Sequence, residues 1–334
     1  MTPTEILAGF ARLRALVVGD ICLDRWCTYD PATSEPSAET GIPRLGIVST
    51  EVTPGGGGTV ANNLAALGAG KVAALGVCGE DGFGFELERA LRVRGIAADL
   101  MVKISPWQTF TYTKLFNSQT GIEDQPRTDF ISTKPLPADA EKLFLHTLAS
   151  AVEGFDVILV ADQAETSAGG VVTPAVREAI IALAGKYPQK IFLADSRRRL
   201  HGFRKVMVKP NRAEAEAACA QLGEGVNFTR LREWLEAPVL FVTHGPRGAL
   251  VVREGNEAWA PARAVDKPVD ICGAGDSFAA GTALAMAVTG DPVQAAGFGN
   301  LVASITIMKK GTGTASPEEV LRAAEMETGR PASD

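Results

Sequence analysis

The segment DICGAGDSFAAG, residues 270–281, places an aspartate directly after three small residues and before a run that is typical of a helix. A Gly-Ala-Gly turn at a helix N-terminus exposes main-chain N–H groups without intrahelical partners, and these groups bind anions together with the positive end of the helix dipole. We predict that the amides of Gly273, Ala274 and Gly275 form such an anion site, with Asp276 beside it as a general base. The alternative is that Asp276 is an ordinary first-turn helix residue. A base beside an anion site suits the attack of a hydroxyl group on a phosphoryl group.

A second glycine-rich segment, TPGGGGTVANNLAALGA at residues 53–69, also precedes a helix-like run. Four consecutive glycines let a ligand approach the backbone closely. The segment does not match GxGxxG, and the chain contains no GxxxxGK[ST]. Neither a dinucleotide-binding fold nor a P-loop nucleotide hydrolase is therefore predicted.

The composition narrows the class of protein and its partners. The chain has 334 residues and a formal net charge of -6 at pH 7, and this charge argues against nucleic acid as a partner. Five scattered cysteines without a CxxC pair favour reduced thiols in the cytoplasm over disulfides or a zinc site. The first twenty residues lack the features of a signal peptide, and no apolar run is long enough to span a membrane. We expect a cytoplasmic protein with no membrane partner.

Short apolar runs alternate with helix-like segments along most of the chain. RALVVGD, KVAALGVCG, DVILVAD, KIFLAD, KVMVKPN and PVLFVTHG are typical of buried strands. This alternation predicts one α/β domain over residues 1–334 with a central, mostly parallel sheet flanked by helices. Ligands of such sheets bind beyond the carboxyl ends of the strands. Polar residues follow the strands at that edge: Asp20, Asp162, Asp195, Asn211 and Thr243.

Two segments interrupt the alternation, approximately residues 23–52 and 104–131. Both contain β-favouring pieces, such as IPRLGIVST and QTFTYTKLFN, and they could form a small β-rich lid over the crevice. The alternative is a pair of ordinary surface hairpins. Four charged residues of these segments could line a substrate site: Asp24, Lys114, Arg127 and Asp129.

Taken together, these features resemble the ribokinase-like (PfkB) family of sugar and nucleoside kinases. PGGGGTVANNLAALG is similar to the family's N-terminal signature and DICGAGDSFAAG to its C-terminal one. GDICLD, KPNRAE, VTHGPRG and AAGFGNLVASITIMKKGTG occur in the order that the family has. Within the family, VVGDICLDRW and TYTKLFNSQTGIEDQPRTDF look most like the heptose-phosphate kinases of lipopolysaccharide precursor synthesis.

The resemblance implies an ATP- and magnesium-dependent kinase that phosphorylates a hydroxyl group of a sugar or sugar phosphate. It implies that Asp276 is the base, that Gly273, Ala274 and Gly275 form the anion hole, and that Glu214 organises Mg²⁺ through water. The implied nucleotide-binding residues are Asn211, Glu214, Thr243, Gly245, Gly248 and Asn300. The implied substrate-binding residues are Asp20, Gly55, Gly56, Thr59, Asn63 and Asp162. It also implies a homodimer formed through the lid, and a monovalent cation near Asp270 is considered.

Several positions depart from the family's pattern. Thr59 stands where the glycine-rich signature usually has an asparagine that binds sugar hydroxyls, with Asn63 one turn later. Gln163, Glu165 and Thr166 replace the tyrosine, lysine and glycine of the heptose-phosphate kinases. A glutamate does not favour a substrate phosphate, and this counts against the heptose assignment. Two alternatives to a sugar kinase also stay open. They are a nucleoside kinase and a non-catalytic binder of sugars or nucleotides.

Two further features can be interpreted either as structural or as functional. His244 is interpreted as a hydrogen-bonded loop residue rather than a proton carrier, because Asp276 already provides the base. The basic segment DSRRRLHGFRK, residues 195–205, is either a solvated surface or a region that attracts ATP or a phosphorylated sugar.

Overall fold

The computed structural model of the chain describes residues 1–164, 169–223 and 225–328. Its strands are β1 (Arg14–Gly19), β2 (Ile21–Pro36), β3 (Pro43–Gly56), β4 (Lys71–Leu75), β5 (Val77–Gly79), β6 (Ile96–Ala97), β7 (Val102–Ile104), β8 (Thr111–Asn117), β9 (Thr128–Phe130), β10 (Val157–Asp162), β11 (Ile191–Ser196), β12 (Met207–Val208), β13 (Val239–Thr243), β14 (Gly248–Arg253) and β15 (Asn256–Pro261). Its helices are α1 (Pro3–Phe10), α2 (Gly57–Ala66), α3 (Gly82–Arg92), α4 (Ala138–Ala151), α5 (Pro174–Lys186), α6 (Arg212–Gln221), α7 (Phe228–Leu235), α8 (Ala274–Thr289), α9 (Pro292–Thr306) and α10 (Pro317–Thr328).

Nine strands form the central sheet in the order β15-β14-β13-β12-β11-β10-β1-β4-β6. The pairs from β6 to β13 are parallel, and β14 and β15 extend that edge antiparallel. Strand β1 shows why the sheet forms: RALVVG is apolar and buried from its second residue onward, as expected for a parallel strand covered on both faces.

Successive residues of the central strands point into two separate hydrophobic cores. On β1, Ala15 and Val17 pack in the core that contains residues of α1, α2, α8 and α9. Leu16 and Val18 pack in the other core, with residues of α4 to α7. The sheet is therefore covered by helices on both faces, and its carboxyl edge is left for the loops that carry the polar residues.

Four strands form a separate sheet in the order β3-β2-β8-β9, which we call the small sheet. Strands β2 and β8 are parallel, with Asp24 opposite Tyr112 and Trp26 opposite Lys114. Because residues opposite one another project to the same side of a sheet, these four share one face. The small sheet is built from the two segments that were predicted to form a lid, and closure over the crevice stays a prediction.

None of the helices in the described ranges is both long and apolar enough to cross a membrane.

Candidate active site

The ends of neighbouring central strands bring the polar residues to one edge of the sheet. Thr243, at the end of β13, forms an isolated bridge with Asn211, and its amide donates to the carbonyl of Pro210 at 3.0 Å. Strand β11 ends with Asp195 and Ser196, directly beside Ala161 and Asp162 of β10. The predicted phosphate loop and the NRAE segment are thus adjacent in space.

The turn before α8 has the conformation that an anion site needs. Gly273 is the N-cap of α8 in the left-handed region, with φ of 77°. Asp270 supports the turn because its Oδ1 accepts the amide of Cys272 at 2.9 Å. Within the described ranges, the amides of Gly273, Gly275 and Asp276 have no hydrogen-bond partner, so they are available to an anion.

One predicted member of the anion hole, the amide of Ala274, already has an internal hydrogen-bond partner. The amide of Ala274 donates to the carbonyl of Ile271 at 3.2 Å and closes the turn internally. Within the described ranges the amide of Asp276 has no such bond, so Asp276 takes the place of Ala274 among the available donors. The physical reason is that the left-handed Gly273 directs the chain into a tight turn before α8 begins.

Asp276 lies in the first turn of α8 and is half-buried. Burial and the nearby negative charge of Asp195 raise its pKa from 3.8 to about 7, although Lys209 and Arg197 act in the opposite direction. A carboxylate with a pKa near the operating pH is well suited to accept a proton from a hydroxyl group. Its position and its pKa therefore agree with the predicted base.

Lys209 is a buried cation that the sequence did not single out. Its Nζ lies 2.9 Å from the Asp195 carboxylate and 3.6 Å from the position that a Cβ on Gly275 would take. Burial acts to lower the pKa of Lys209, but the charge and hydrogen bond of Asp195 outweigh this effect and raise it. A charged ammonium group therefore lies beside the anion turn. The only sequence signal was its place between strand β12 and Asn211.

Asn211 and Glu214 form a reciprocal capping box at the start of α6. The Asn211 side chain accepts the amide of Glu214 at 2.9 Å, and the Glu214 carboxylate accepts the amide of Asn211 at 2.7 Å. Burial raises the pKa of Glu214. The cap uses Oε2 of Glu214, and Oε1 has no hydrogen-bond partner within the described ranges.

The donor set near Glu214 fits Mg²⁺, which is bound through one or two carboxylates, water and substrate phosphates. Within the described ranges, no group of three histidine, cysteine or acidic side chains could hold a metal ion by itself. A metal here would therefore share its ligands with the nucleotide phosphates.

The loop from Thr243 to Gly248 makes a tight turn. At its last residue, Gly248, there is no space for a side chain. The His244 amide donates to the Gly248 carbonyl at 2.7 Å, and Gly248 has φ of +102°. A Cβ on Gly248 would lie 2.2 Å from the Ala260 carbonyl oxygen. Gly245 also has a positive φ, of +58°, but nothing lies within 4 Å of its Cβ position.

His244 lies in this loop as a neutral side chain. Burial and the charges of Arg247 and Arg212 lower its pKa, and an Arg247 guanidinium nitrogen lies 3.2 Å from Nδ1. The ring also contacts Trp259, with centroids 5.0 Å apart. These contacts agree with the interpretation of His244 as a packed loop residue.

Asn300, on α9, is buried and fastens the end of β15. Its amide nitrogen donates to the carbonyls of Ala260 at 2.8 Å and Pro261 at 3.3 Å. It therefore lies where the chain leaves the nucleotide loop, and contact with adenine stays a prediction.

Asp20 and Asp162 are buried at the base of the predicted substrate pocket, and their oxygen atoms are already engaged. Asp20 accepts the amides of Gln163 at 2.8 Å, Ala164 at 2.9 Å and Val171 at 2.8 Å. Burial raises the pKa of Asp20 to about 6. Asp162 accepts the hydroxyl of Ser196 at 2.7 Å and pairs with the guanidinium of Arg199. Asp20 thus holds described residues after β10, whereas Asp162 holds the turn that follows β11.

The glycine-rich segment shapes the same region from the other side. A Cβ on Gly55 would lie 2.3 Å from the carboxylate of Asp24, and one on Gly56, which has φ of +56°, would lie 2.7 Å from the Asp20 carbonyl. Thr59 is buried, and its hydroxyl donates to the Pro54 carbonyl at 3.3 Å.

Asn63 is also buried, and its amide nitrogen donates to the carbonyl of Thr59 at 3.0 Å. Its carbonyl oxygen is buried with no partner in the described part of the chain. Thr59 and Asn63 thus lie behind the surface of the site, and direct contact with a substrate stays a prediction.

A pocket opens between the small sheet and the end of β10. It is lined by Asp20, Cys22, Phe110, Tyr112, Ile131, Ser132, Gln163, Ala164 and Gly170. Glu165 and Thr166, which depart from the heptose-phosphate kinase pattern, lie outside the described residues. Aromatic and apolar walls with a few polar groups are typical of a small-molecule site.

Asp24 interacts electrostatically with several charged groups of the site, which the sequence did not indicate. Burial raises its pKa to about 6, while Lys114, Cys22 and Arg127 act to lower it. Its charge also raises the pKa of Asp276, so the two carboxylates belong to one electrostatic cluster. Arg197, from the basic segment, lowers the pKa of both, which draws that segment into the site.

Comparison with known families agrees with this geometry. A model described as pfkB family carbohydrate kinase matches residues 15–319. The bifunctional protein HldE of Pelobacter propionicus is 31% identical over 98% of this chain and 67% of its own length. The HldE protein of Geobacter metallireducens is 31% identical over 95% of this chain and 64% of its own length. The chain spans about two thirds of the length of these curated relatives.

Solved structures share the fold. Phosphofructokinase-2 of Escherichia coli, in complex with potassium, superposes with a TM-score of 0.72 at 18% identity, covering 95% of this chain and 99% of that chain. The ribokinase of Arabidopsis thaliana, complexed with ribose and ATP, gives a TM-score of 0.66 at 18% identity, covering 94% and 99%. At these identities the likeness shows the fold alone, and it confirms the predicted ribokinase-like α/β architecture.

Proposed function

The chain belongs to the pfkB family of carbohydrate kinases and is an ATP-dependent sugar kinase, and we propose that Asp276 is the base of its phosphoryl transfer. One observation carries this assignment: a carboxylate with a pKa of about 7 lies beside the free amides of Gly273 and Gly275. The experiments below distinguish this function from a nucleoside kinase and from a non-catalytic binder.

The reaction follows from the positions of these groups. Asp276 takes the proton from the acceptor hydroxyl, and the resulting oxygen forms a bond to the γ-phosphorus as the bond to the β-phosphate oxygen breaks. The products are a phosphorylated sugar, ADP and a proton on Asp276, which is later released to water. The amides of Gly273, Gly275 and Asp276 stabilise the charge on the transferred group.

Lys209 provides the positive charge at this point. Because its ammonium group is fixed by Asp195 at 2.9 Å, it meets the phosphoryl group without a loss of side-chain freedom. When bound, Mg²⁺ neutralises charge on the nucleotide phosphates. The free Oε1 of Glu214 would hold the water molecules of that ion, while Asn211 keeps the carboxylate oriented.

The acceptor occupies the pocket between the small sheet and β10. Tyr112 and Phe110 line this pocket and offer two ring faces for a sugar. Asp24 lies opposite Tyr112 in the small sheet and provides a hydrogen-bond acceptor beside the pocket. Asp20 and Asp162 remain the proposed substrate-binding carboxylates. Main-chain amides and the Ser196 hydroxyl hold them in place, and each carboxylate has lone pairs left for an acceptor hydroxyl. Heptose phosphates remain the first acceptors to try because of the resemblance of VVGDICLDRW and TYTKLFNSQTGIEDQPRTDF.

The deciding experiment is a screen of acceptors with ADP release as the readout. The panel contains ribose, fructose, fructose 6-phosphate, a heptose 7-phosphate and adenosine, each with MgATP. We expect turnover with a sugar or a sugar phosphate, and a loss of about 10²–10⁴-fold in kcat for Asp276→Asn with ATP binding kept. Turnover with adenosine alone would establish the nucleoside kinase. Ligand-dependent thermal shifts without any turnover would establish the binder.

The monovalent cation near Asp270 is a separate part of the proposal. Both oxygens of that carboxylate already accept main-chain amides, from Cys272 at 2.9 Å and Gly311 at 3.1 Å. We therefore expect a cation to bind to other oxygen atoms near Asp270 rather than between these two amides. Activity that is equal in potassium chloride and in an equal concentration of tetramethylammonium chloride contradicts a cation requirement.

We also propose a homodimer through the small sheet. Strand β3 is an edge strand, and Ile42, Ile47 and Val48 are 67%, 45% and 58% exposed on or beside it. An apolar edge strand of this kind is suited to association with a second copy. Light scattering should give twice the mass of the chain, and Val48→Lys should give a monomer. A monomeric wild-type protein at micromolar concentration contradicts the dimer.

The cysteines support a reducing location. All five are free thiols in the structure, and four of them are buried. Thiols of this kind persist in the cytoplasm, which we therefore propose as the working compartment. Cell fractionation with an antibody to the protein tests this assignment.

A further inference from the structure

Lys309 follows helix α9, and its side chain closes the loop that leads to α10. Its Nζ donates to the Thr314 carbonyl at 2.6 Å and lies 2.7 Å from a carboxylate oxygen of Glu319. This hydrogen bond holds the pKa of Glu319 below its usual value. The side chains of Lys309 and Glu319 are only 37% and 28% exposed, so the ammonium group is held between two partners at the edge of the protein.

Glu319 is itself fixed to the start of α10. One of its oxygens accepts the Ser316 amide at 2.8 Å, and the Ser316 hydroxyl accepts the Glu319 amide at 3.3 Å. This reciprocal arrangement is a capping box. Val320, the next residue, is fully buried in the core that contains residues of α8 and α9. The ion pair therefore joins the loop to a helix that is anchored in the core.

The loop between α9 and α10 also packs on the aliphatic stem of Lys309. A Cβ on Gly313 would lie 2.8 Å from the Cβ of Lys309 and 3.3 Å from its Cδ. The Gly313 amide donates to the Gly311 carbonyl at 3.0 Å, which tightens the loop at this point. The stem of Lys309 thus supports the middle of the loop, and its ammonium group holds the far end at Thr314.

This loop holds the turn before α8 in place. The Gly311 amide donates to Oδ2 of Asp270 at 3.1 Å, while Oδ1 of Asp270 accepts the Cys272 amide at 2.9 Å. The methyl group of Thr312 lies 3.3 Å from the position that a Cβ on Gly273 would take. The loop therefore contacts both the carboxylate that supports the turn and the glycine at which α8 begins.

Side-chain packing gives the turn little support of its own, since Val269 and Ile271 are 61% and 72% exposed. The turn depends instead on hydrogen bonds to the segment after α9. The Ile307 carbonyl accepts the amides of Val269 at 2.8 Å and Asp270 at 3.1 Å. This acceptor and the amide that binds the Asp270 carboxylate each lie two residues from Lys309. A displacement of the chain at Lys309 would therefore displace the turn.

We propose that Lys309 is a positioning residue that fixes, through Thr314 and Glu319, the loop on which the turn before α8 rests. Lys309 acts on the transferred phosphoryl group only through Asp270 and Gly273. An ion pair as exposed as this one contributes little to global stability, so we expect its effect in the rate rather than in Tm. This inference rests on the proposed function, because it assumes that the turn binds the transferred phosphoryl group.

The test compares Lys309→Met with Lys103→Met as a matched control. The Lys103 ammonium lies 2.8 Å from the Glu88 carboxylate, with side chains 48% and 14% exposed, and this pair joins β7 to α3. The probe is the panel sugar with the highest kcat/KM for the wild-type enzyme, with MgATP and one fixed concentration of potassium chloride. We expect Lys309→Met to lower kcat about 10–100-fold, because a misplaced site costs that much. Lys103→Met should change Tm by a similar small amount and leave kcat unchanged.

Two further variants separate the contacts of the ammonium group. Lys309→Arg keeps the charge and the donors and should recover most of kcat. Glu319→Gln removes the ion pair but leaves the bond to Thr314, so its loss of kcat should be smaller than that of Lys309→Met. In the Glu319→Gln background, Lys309→Met should cost less than in the wild type, because part of the interaction is already gone. The acceptor KM should stay near that of the wild type, since no residue of the loop lines the acceptor pocket.

Amide hydrogen exchange measures the support of the turn without any turnover. Peptides that cover residues 269–275 should exchange faster in Lys309→Met than in the wild type, and at the wild-type rate in Lys103→Met. If Lys309→Met does not fold, Lys309→Gln takes its place with the same expectation.

The outcomes separate the two proposals. A wild-type enzyme that turns over no sugar refutes the proposed function, whereas exchange in the peptides of residues 269–275 still tests the support of the turn by Lys309. With a wild-type enzyme that does turn over, an unchanged kcat in Lys309→Met overturns the role of Lys309. Wild-type exchange in Lys309→Met, or an equal loss of kcat in Lys103→Met, overturns it as well.

Discussion

Replacing Asp276 with asparagine should inactivate the enzyme and also make the fold more stable at alkaline pH. The carboxylate is half-buried next to Asp195, and its pKa is raised from 3.8 to about 7. The folded protein therefore favours the protonated form, and ionisation of Asp276 destabilises the fold. This cost is absent below about pH 4, grows as the pH rises toward 7, and is constant above 7. An asparagine, which is neutral at every pH, never incurs it.

The magnitude follows from the shift in pKa. A difference of about 3 units at about 1.4 kcal/mol per unit gives about 4 kcal/mol as the upper limit at pH 8.5. Solvent exposure reduces this value, and so do Lys209 and Arg197, which lose a favourable charge partner in the variant. We expect a gain of about 1–3 kcal/mol in the free energy of unfolding at pH 8.5. For a chain of this length that gain corresponds to a rise of about 1–4 °C in Tm.

The assay is thermal and urea unfolding of wild type and Asp276→Asn at pH 4, 6 and 8.5, without nucleotide. The difference between the two proteins should be near zero at pH 4 and largest at pH 8.5. Asp139→Asn, which changes a fully exposed carboxylate on α4, is the control and should show no such trend. A variant that is equally stable or less stable at pH 8.5, or that gains as much at pH 4, refutes the raised pKa of Asp276.

Three further predictions concern the groups around this base. Asp195→Asn should move the acidic limb of the kcat/KM profile from near pH 7 to lower pH, because it removes a charge that raises the pKa of Asp276; an unmoved limb contradicts this electrostatic coupling. Lys209→Met should destabilise the fold by about 3–5 kcal/mol by leaving Asp195 buried and unpaired, and adding Asp195→Asn should restore stability but not turnover, as unfolding and ADP-release assays can show. Gly248→Ala should lower Tm more than Gly255→Ala, since both glycines have positive φ but only Gly248 would place a Cβ against a carbonyl; equal losses would leave no role for that contact.

The architecture was accessible from the sequence because its signals are local. Buried runs such as ALVV and VILVA alternate with helix-like segments, and this pattern alone predicts a parallel sheet with helices on both faces. The strand order and the antiparallel edge formed by β14 and β15 depend on long-range pairing, which no local pattern encodes. Strand β12 was the weakest case, since only Met207 and Val208 of KVMVKPN pair in the sheet.

The part of the candidate site that could be predicted from the sequence is the part formed by main-chain amides. A GAGD turn before a helix predicts an anion site from residue types. Within the described ranges the amides of Gly273 and Gly275 are free and that of Ala274 is engaged, and anion binding there stays a prediction. The position of Lys209 beside the turn and the different surroundings of Asp20 and Asp24 could not be predicted from the sequence. They depend on hydrogen bonds and ion pairs with residues far along the chain. Asp20 accepts amides more than 140 residues away, while no amide within the described ranges donates to Asp24.

The neighbours of Asp276, the proposed base, set its pKa. Asp195 raises the pKa of Asp276 and at the same time anchors Lys209, which lowers it. Together with burial, these two opposing charges give Asp276 a pKa of about 7. Negative charge on the ATP phosphates beside the turn would raise the affinity of Asp276 for a proton, and a Mg²⁺ ion held near Glu214 would offset that charge. A site built from Asp276 and the glycines alone, without the pair formed by Asp195 and Lys209, would lack this balance.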